Sequence, residues 1–199
     1  MTRFVVATFN RHKAAELNAL LALPGVTLVP LADWPGVTPP DETGDTLLAN
    51  ARIKALAAVA ATGLPAIADD TGLEVDALGG APGVHAARYA GPGASYADNV
   101  AKLLRELAGV PAPRRRARFR TVCVAAWPGG REVQAEGALE GVIREAPRGT
   151  NGFGYDPVFV PAGETRTFAE LTEAEKNAIS HRARAVKALA EKLVLVESD

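Results

Sequence analysis

The apolar positions fall in short blocks whose spacing alternates between strand and helix periods. Phe4 to Ala7 is an apolar run that stops at Thr8-Phe9-Asn10, and from about Lys13 the residues Leu17, Leu20 and Leu21 recur at helical spacing. This predicts strand, loop and helix. Pro24-Gly25 reads as the end of that helix and Val26 to Val29 as a second strand. A proline-rich loop, Trp34 to Pro40, then delivers Asp41-Glu42-Thr43-Gly44. From Thr46 to Thr62 the residues Leu47, Ala51, Lys54, Ala55 and Ala58 share one helical face, with Gly63 as the stop. Pro65 to Ala68 reads as a buried strand that ends at Asp69-Asp70-Thr71-Gly72.

The pattern changes in the second half. After a glycine-rich stretch, Gly79 to Gly93, Ser95 is placed to cap a helix carrying Val100, Leu103, Leu104 and Leu107. Arg118 to Ala126 alternates as a strand, Pro128-Gly129-Gly130 turns, and Arg131 to Leu139 pairs back, which predicts an antiparallel meander. A glycine-rich loop from Pro147 to Pro157 leads to a short strand, Val158 to Val160, and a last helix runs from about Ser180 to Val194. The first half therefore reads α/β and the second α+β. With neither an internal repeat nor a low-complexity linker, the expectation is one domain over residues 1–199 with two lobes around a central cleft.

Length and composition narrow the class. A chain of 199 residues can bury roughly 70% of its unfolded surface, so neither a disulfide nor a structural metal is needed to hold a core. Apolar residues at 48% and charged residues at 23% are globular proportions. The formal charge of −1 demands neither a nucleic-acid polymer nor an anionic membrane as partner, so any anion site must be local. The single cysteine excludes an internal disulfide and any multi-cysteine metal site; Cys123, between Val122 and Val124, is expected in a buried strand. The apolar start is too short for a signal-peptide core or a membrane span, which points to a soluble, cytoplasmic protein.

Four clusters could carry chemistry. The first is Thr8-Phe9-Asn10-Arg11-His12-Lys13, between the first strand and the first helix. Helix-terminal N–H groups, a hydroxyl, an amide and a lysine are what a phosphate chain requires, although Asn10 as an ordinary cap would account for the same residues. The second joins Asp69 and Asp70, at the end of an apolar strand, with Glu42 in a loop before a helix. Such hard oxygen ligands suit Mg²⁺ and a carboxylate can deprotonate a water, but a simple turn also favours aspartates.

The third cluster is Thr150 to Pro157. Gly152 and Gly154 let the backbone approach a flat ligand, Phe153 or Tyr155 can stack on it and Asp156 can accept from ring N–H groups; the two aromatics could equally fill a cleft wall. The fourth is Lys176 with Ser180-His181-Arg182, either a solvated helix start or donors to purine carbonyl oxygens. The basic run Pro113 to Arg120 reads as a solvated edge, with no nucleic acid assigned to it. Glu74, Asp76, His85, Arg88 and Tyr89 could line the cleft or merely cover it.

Taken in order, T-x-N-x-x-K at Thr8 to Lys13, D-E-T-G at Asp41 to Gly44, A-D-D-T-G-L at Ala68 to Leu73, L-G-G-A-P-G at Leu78 to Gly83, G-F-G-Y-D-P at Gly152 to Pro157 and S-H-R at Ser180 to Arg182 closely resemble the inosine/xanthosine triphosphate pyrophosphatase family. The blocks span almost the whole chain. The resemblance implies an elongated α/β protein with a mixed, curved sheet flanked by helices, and usually a homodimer. It also implies Mg²⁺-dependent hydrolysis of ITP, dITP and XTP to the monophosphate and pyrophosphate, cleansing the nucleotide pool.

Carried over by position, the resemblance assigns the triphosphate to Thr8, Asn10 and Lys13 within the loop that also holds Phe9, Arg11 and His12, and Mg²⁺ to Glu42. Asp70 is implied as proton acceptor for the attacking water and as a metal ligand, assisted by Asp69, with Thr71 on the phosphates. Phe153, Gly154, Tyr155, Asp156 and Lys176 would hold base and sugar, and His181 with Arg182 would read the 6-oxo group. Two departures stand out: Phe9 occupies a frequent glycine position and Asp41 a frequent glutamate position.

Overall fold

A computed structural model describes residues 2–21 and 25–196. The strands are β1 (Thr2–Val6), β2 (Val26–Pro30), β3 (Ala66–Val75), β4 (Pro82–Gly83), β5 (Arg116–Ala126), β6 (Glu132–Ile143) and β7 (Phe159–Pro161). The helices are α1 (Arg11–Leu20), α2 (Leu47–Thr62), α3 (Tyr96–Glu106), α4 (Glu173–Ile179) and α5 (His181–Val196). They flank a mixed seven-stranded sheet of order β2-β1-β3-β5-β6-β7, with β4 beside β3. The β1–β2 and β1–β3 pairs are parallel; β3–β4 and β6–β7 are antiparallel. Backbone bonds from Trp127 N to Arg131 O and from Ile143 N to Arg115 O tie both ends of the β5–β6 hairpin.

The expected mixed α/β architecture, with antiparallel pairing in the second half, is borne out. Three elements differ from the sequence reading. The strand expected to stop at Ala68 continues through Asp69, Asp70 and Thr71 to Val75, because buried cations receive both carboxylates, as described below, and Leu73 and Val75 are wholly buried. The last helix, α5, starts where it was expected, but a short helix, α4, precedes it where none was expected, and Ser180, with extended dihedrals (φ −64°, ψ 156°), divides the two. Arg115, read as part of a solvated edge, is buried, and its guanidinium donates to the carbonyl oxygens of Leu107, Val110, Ile143 and Arg144. Its several N–H donors in a rigid fork suit it to cap chain ends where no carboxylate is at hand. Pro24, expected to end α1, lies outside the described residues.

The chain forms two compact units, each assembled from separated stretches. Unit 1 comprises residues 1–70, 121–137 and 182–199, and unit 2 residues 71–120 and 138–181. Each has its own core. In unit 1, Phe4, Val6, Leu17, Ile67, Cys123 and Leu189 pack together; Cys123 is a free, wholly buried strand residue, as expected, and burial pushes its thiol far above the ordinary range. In unit 2, Leu73, Leu103, Phe119, Tyr155, Phe159 and Phe168 form the core. The unit boundaries cut two motifs, falling between Asp70 and Thr71 and between His181 and Arg182. No helix among the described residues is long and apolar enough to cross a membrane.

Candidate active site

In unit 1 the chemistry starts from strand geometry. Successive residues of a β-strand point to opposite faces, so Asp69 and Asp70, adjacent on β3, send their carboxylates to different partners. Asp69 meets the guanidinium of Arg182 at the start of α5, with Nε at 3.2 Å and Nη2 at 3.1 Å, and the ammonium of Lys13 in the first turn of α1 at 3.5 Å. Arg182 is held from its other side by Glu16 of α1. Asp70 meets α2: Lys54 Nζ lies 2.8 Å from its Oδ1, and the Asn50 amide donates to its Oδ2 at 3.5 Å. The same Lys54 ammonium is 3.2 Å from Glu42.

These environments drive the two aspartates apart. Burial alone would raise Asp69, but Lys13, Arg182 and Lys54 outweigh it and hold that carboxyl well below the usual range. For Asp70 the burial cost outweighs Lys54 and Lys13, so its carboxyl sits above the ordinary value. Lys13 is lowered, chiefly by burial and further by Lys54 and Arg182; Lys54 is raised, because Asp70, Asp69 and Glu42 overcome its burial. One carboxylate is thus held firmly as an anion, while its neighbour binds a proton more readily.

The loop before α1 is tied by its own side chains. Asn10 caps the helix, its Oδ1 accepting from His12 N at 3.0 Å and Lys13 N at 3.3 Å, while Thr8 Oγ1 accepts from Asn10 N at 3.2 Å. The ordinary cap and the phosphate loop are therefore compatible, since the cap fixes the turn that presents Lys13. Phe9, Arg11 and His12 are exposed.

In unit 2 the loop around Phe153 is organised by Asp156. Its Oδ2 accepts from Phe153 N at 2.9 Å and pairs with Lys176 Nζ of α4 at 2.6 Å, and both charged residues are buried. Gly152 has φ +72°, and a Cβ there would collide with the Asp156 carboxylate, so glycine is required. Gly154 also has positive φ, +64°. Lys176 lies 4.9 Å from the Phe153 ring centroid, a cation–π contact. His181, buried, stacks on Phe119 at 4.5 Å and 15° between planes. Tyr155 belongs to the core, its hydroxyl donating to Ala86 O at 2.8 Å, so of the two aromatics only Phe153 has a half-buried ring. Thr71, the first residue of unit 2, is half-buried on β3.

Of the residues expected at the site, Lys13, Glu42, Asp69, Asp70 and Arg182 are thus joined by ion pairs in unit 1, and Phe153, Asp156 and Lys176 by contacts in unit 2. Glu16, Asn50 and Lys54 join the unit 1 network without having been expected there. Lys54 had a legible signal, a charge on an otherwise alanine and leucine helical face. Asn50 lies four residues before it and so on the same side of α2; Glu16 gave no signal beside Leu17.

The carboxylates of Glu42 and Asp70 converge on one ammonium, the arrangement that a divalent cation bound through one or two carboxylates requires. Among the described residues no group of three or more His, Cys, Asp or Glu side chains could hold a metal. A cation bound here would complete its shell from phosphate and water oxygens, as Mg²⁺ does.

A paired-carboxylate centre on a mixed sheet, with a lysine presented at a helix start, defines an α/β protein with a built cluster of buried charge. Residues 4–192 match the family model of the Ham1 family, and the chain belongs to that family. The resemblance read from the six motifs is thereby borne out. The chain is 51% identical over 191 residues to the dITP/XTP pyrophosphatase of Geobacillus kaustophilus, covering 96% of this chain and 94% of that one. It is 54% identical over 192 residues to that of Symbiobacterium thermophilum, with the same coverages. Its fold matches a solved HAM1 protein from Coxiella burnetii with a TM-score of 0.87 at 41% identity, covering 98% and 99% of the two chains. It also matches the nucleoside-triphosphatase, dITP/XTP pyrophosphatase, of Mycobacterium abscessus with a TM-score of 0.76 at 47% identity, covering 96% and 100%.

Proposed function

We propose that this chain hydrolyses the deaminated purine nucleotides dITP, ITP and XTP to the nucleoside monophosphate and pyrophosphate, with Mg²⁺ as cofactor. The family and its dITP/XTP pyrophosphatase relatives support the reaction. The observation that carries the mechanism is the split in partners between Asp69, locked between Lys13 and Arg182, and Asp70, which shares the Lys54 ammonium with Glu42.

Asp70 accepts the proton of the attacking water, whose oxygen bonds to phosphorus as the linkage between the α and β phosphates breaks and pyrophosphate departs. Asp69 keeps Lys13 and Arg182 oriented. Lys13 and the Thr8–Asn10 turn grip the triphosphate, with Thr71 adding a hydroxyl. Glu42 and Asp70 would hold Mg²⁺, which when bound would neutralise phosphate charge. Phe153 stacks on the base, Asp156 and Lys176 hold base and sugar, and His181 and Arg182 donate to the 6-oxo acceptor. Adenine presents an amino group at that position and would leave a buried donor unpaired, so ATP is rejected. In this reading the chain acts as a single functional domain. The homodimer that the six-motif resemblance implies, acting in the cytoplasm, is part of the same proposal.

A substrate panel tests the proposal. Pyrophosphate release from dITP and XTP should far exceed that from ATP and GTP and should vanish with EDTA. Release of phosphate means that the wrong bond is cut, a preference for modified pyrimidines means another pyrophosphatase, and binding without turnover means a regulatory module.

A further inference from the structure

Asn50 is a polar side chain wholly buried in the first turns of α2. Its two ends are both engaged. The carbonyl oxygen Oδ1 accepts from Gly44 N at 2.8 Å, and the amide Nδ2 donates to Asp70 Oδ2 at 3.5 Å. Chemistry fixes this orientation, since the backbone N–H can only donate and an ionised carboxylate can only accept. Gly44 closes the Asp41-Glu42-Thr43-Gly44 segment and is packed hard on the helix. A Cβ at Gly44 would lie 2.6 Å from Ala49 Cβ and 2.7 Å from Asn50 Oδ1. Two residues upstream of that glycine stands Glu42, whose carboxylate shares the Lys54 ammonium with Asp70.

We infer that Asn50 is a positioning residue that holds the Glu42 segment and Asp70 in register, setting the spacing of the two carboxylates that take the divalent cation. The inference deepens the proposed function and rests on its assignment of Glu42 and Asp70. Lys54 also links these carboxylates, but through four rotatable carbons and by charge, which sets attraction and not direction. Asn50 has one carbon between backbone and amide, sits on a rigid helix and is bonded at both ends. It carries no charge, so it keeps the same partners when the charge around it changes. Partners of metal-ligating carboxylates act in this way, and losing one typically costs 10- to 100-fold in metal affinity or activity.

The test uses Asn50→Leu, which keeps the side-chain volume and removes both bonds, and Asn50→Asp, which keeps an acceptor for Gly44 N–H and removes the donor to Asp70. Mn²⁺ affinity is read by electron paramagnetic resonance in the presence of a non-hydrolysable dITP analogue, without turnover. Asn50→Leu is expected to weaken Mn²⁺ binding about tenfold or more, to lower kcat on dITP by a similar factor and to leave nucleotide KM within about threefold. Hydrogen exchange of the Gly44 amide should be slow in the wild-type protein and in Asn50→Asp and fast in Asn50→Leu. Wild-type Mn²⁺ affinity in a folded Asn50→Leu overturns the inference. Should that variant not fold, unprotected exchange at Gly44 in the wild-type protein overturns it equally. Failure of the proposed function itself is seen separately, as wild-type enzyme that binds Mn²⁺ and releases no pyrophosphate from dITP or XTP.

Discussion

Asp69 and Asp70 differ by one position and by almost everything that matters chemically. The strand period sends one carboxylate toward Arg182 and Lys13 and the other toward Lys54, and the surrounding charge sets them apart. Asp70→Asn should therefore lose ~10²- to 10⁴-fold in kcat, the contribution of a positioned general base, while still binding dITP in a calorimeter. Asp69→Asn leaves Lys13 without its carboxylate and Arg182 with Glu16 alone, and should cost about 3–5 kcal/mol in urea unfolding at neutral pH. The sign with pH follows from the depressed carboxyl. The unfolded chain takes up the Asp69 proton near the ordinary 3.8 while the folded chain resists it, so the stabilisation is present above that pH and fades as pH falls below it. The stability gap between wild type and Asp69→Asn should accordingly narrow below about pH 4. A constant gap down to pH 2.5 would contradict the assignment.

At the scale of elements, α2 does the most for the site. Thr46 caps it by accepting from Ala49 N, Gly63 ends it in the left-handed region at φ +69°, and between them Asn50 and Lys54 lie on the face shared with Ala51, Ala55 and Ala58. Gly63 meets nothing within 4 Å of an added Cβ, so Gly63→Ala carries only the backbone strain of that conformation, about 1–2 kcal/mol. Its melting temperature should fall while kcat on dITP stays at the wild-type value; a loss of turnover would tie the end of the helix to the chemistry. This helix was legible from its cap, its stop and its alanine face. So were β1, α1, α3 and the β5–β6 hairpin, because local propensity, turn residues and apolar period agree there. The continuation of β3 was not legible: aspartate and glycine read locally as a turn, and only tertiary cations from α1, α2 and α5 make an extended acidic run tolerable. The start of α5 at Ser180 was legible, but α4 before it was not, because a seven-residue helix has little apolar pattern of its own. Glu16 and Asn50 escaped notice because their worth lies in partners distant in sequence, Arg182 and Asp70.

For the whole molecule, the two cores divide the proposed labour. The proposal assigns phosphate and metal chemistry to α1, α2 and β3 around the first core and stacking on the base to the Phe153 loop around the second, while the 6-oxo readers His181 and Arg182 fall on either side of the unit boundary. If binding is so divided, its terms separate by ligand. Inorganic tripolyphosphate offers the charges of the substrate and no base, so as a competitive inhibitor it should depend on Lys13 and not on Phe153. Stacking of a base on an aromatic ring contributes about 1–3 kcal/mol, roughly 5- to 150-fold in affinity. Phe153→Ala should then raise KM for dITP by a factor in that range and leave the tripolyphosphate inhibition constant within twofold, whereas Lys13→Ala should weaken both. Because the proposal gives the two residues separate parts of the ligand, their effects on dITP binding should add within about 0.5 kcal/mol in the double variant. Tripolyphosphate inhibition that collapses in Phe153→Ala would show that the aromatic loop shapes the phosphate site, and the division by unit would fall with it.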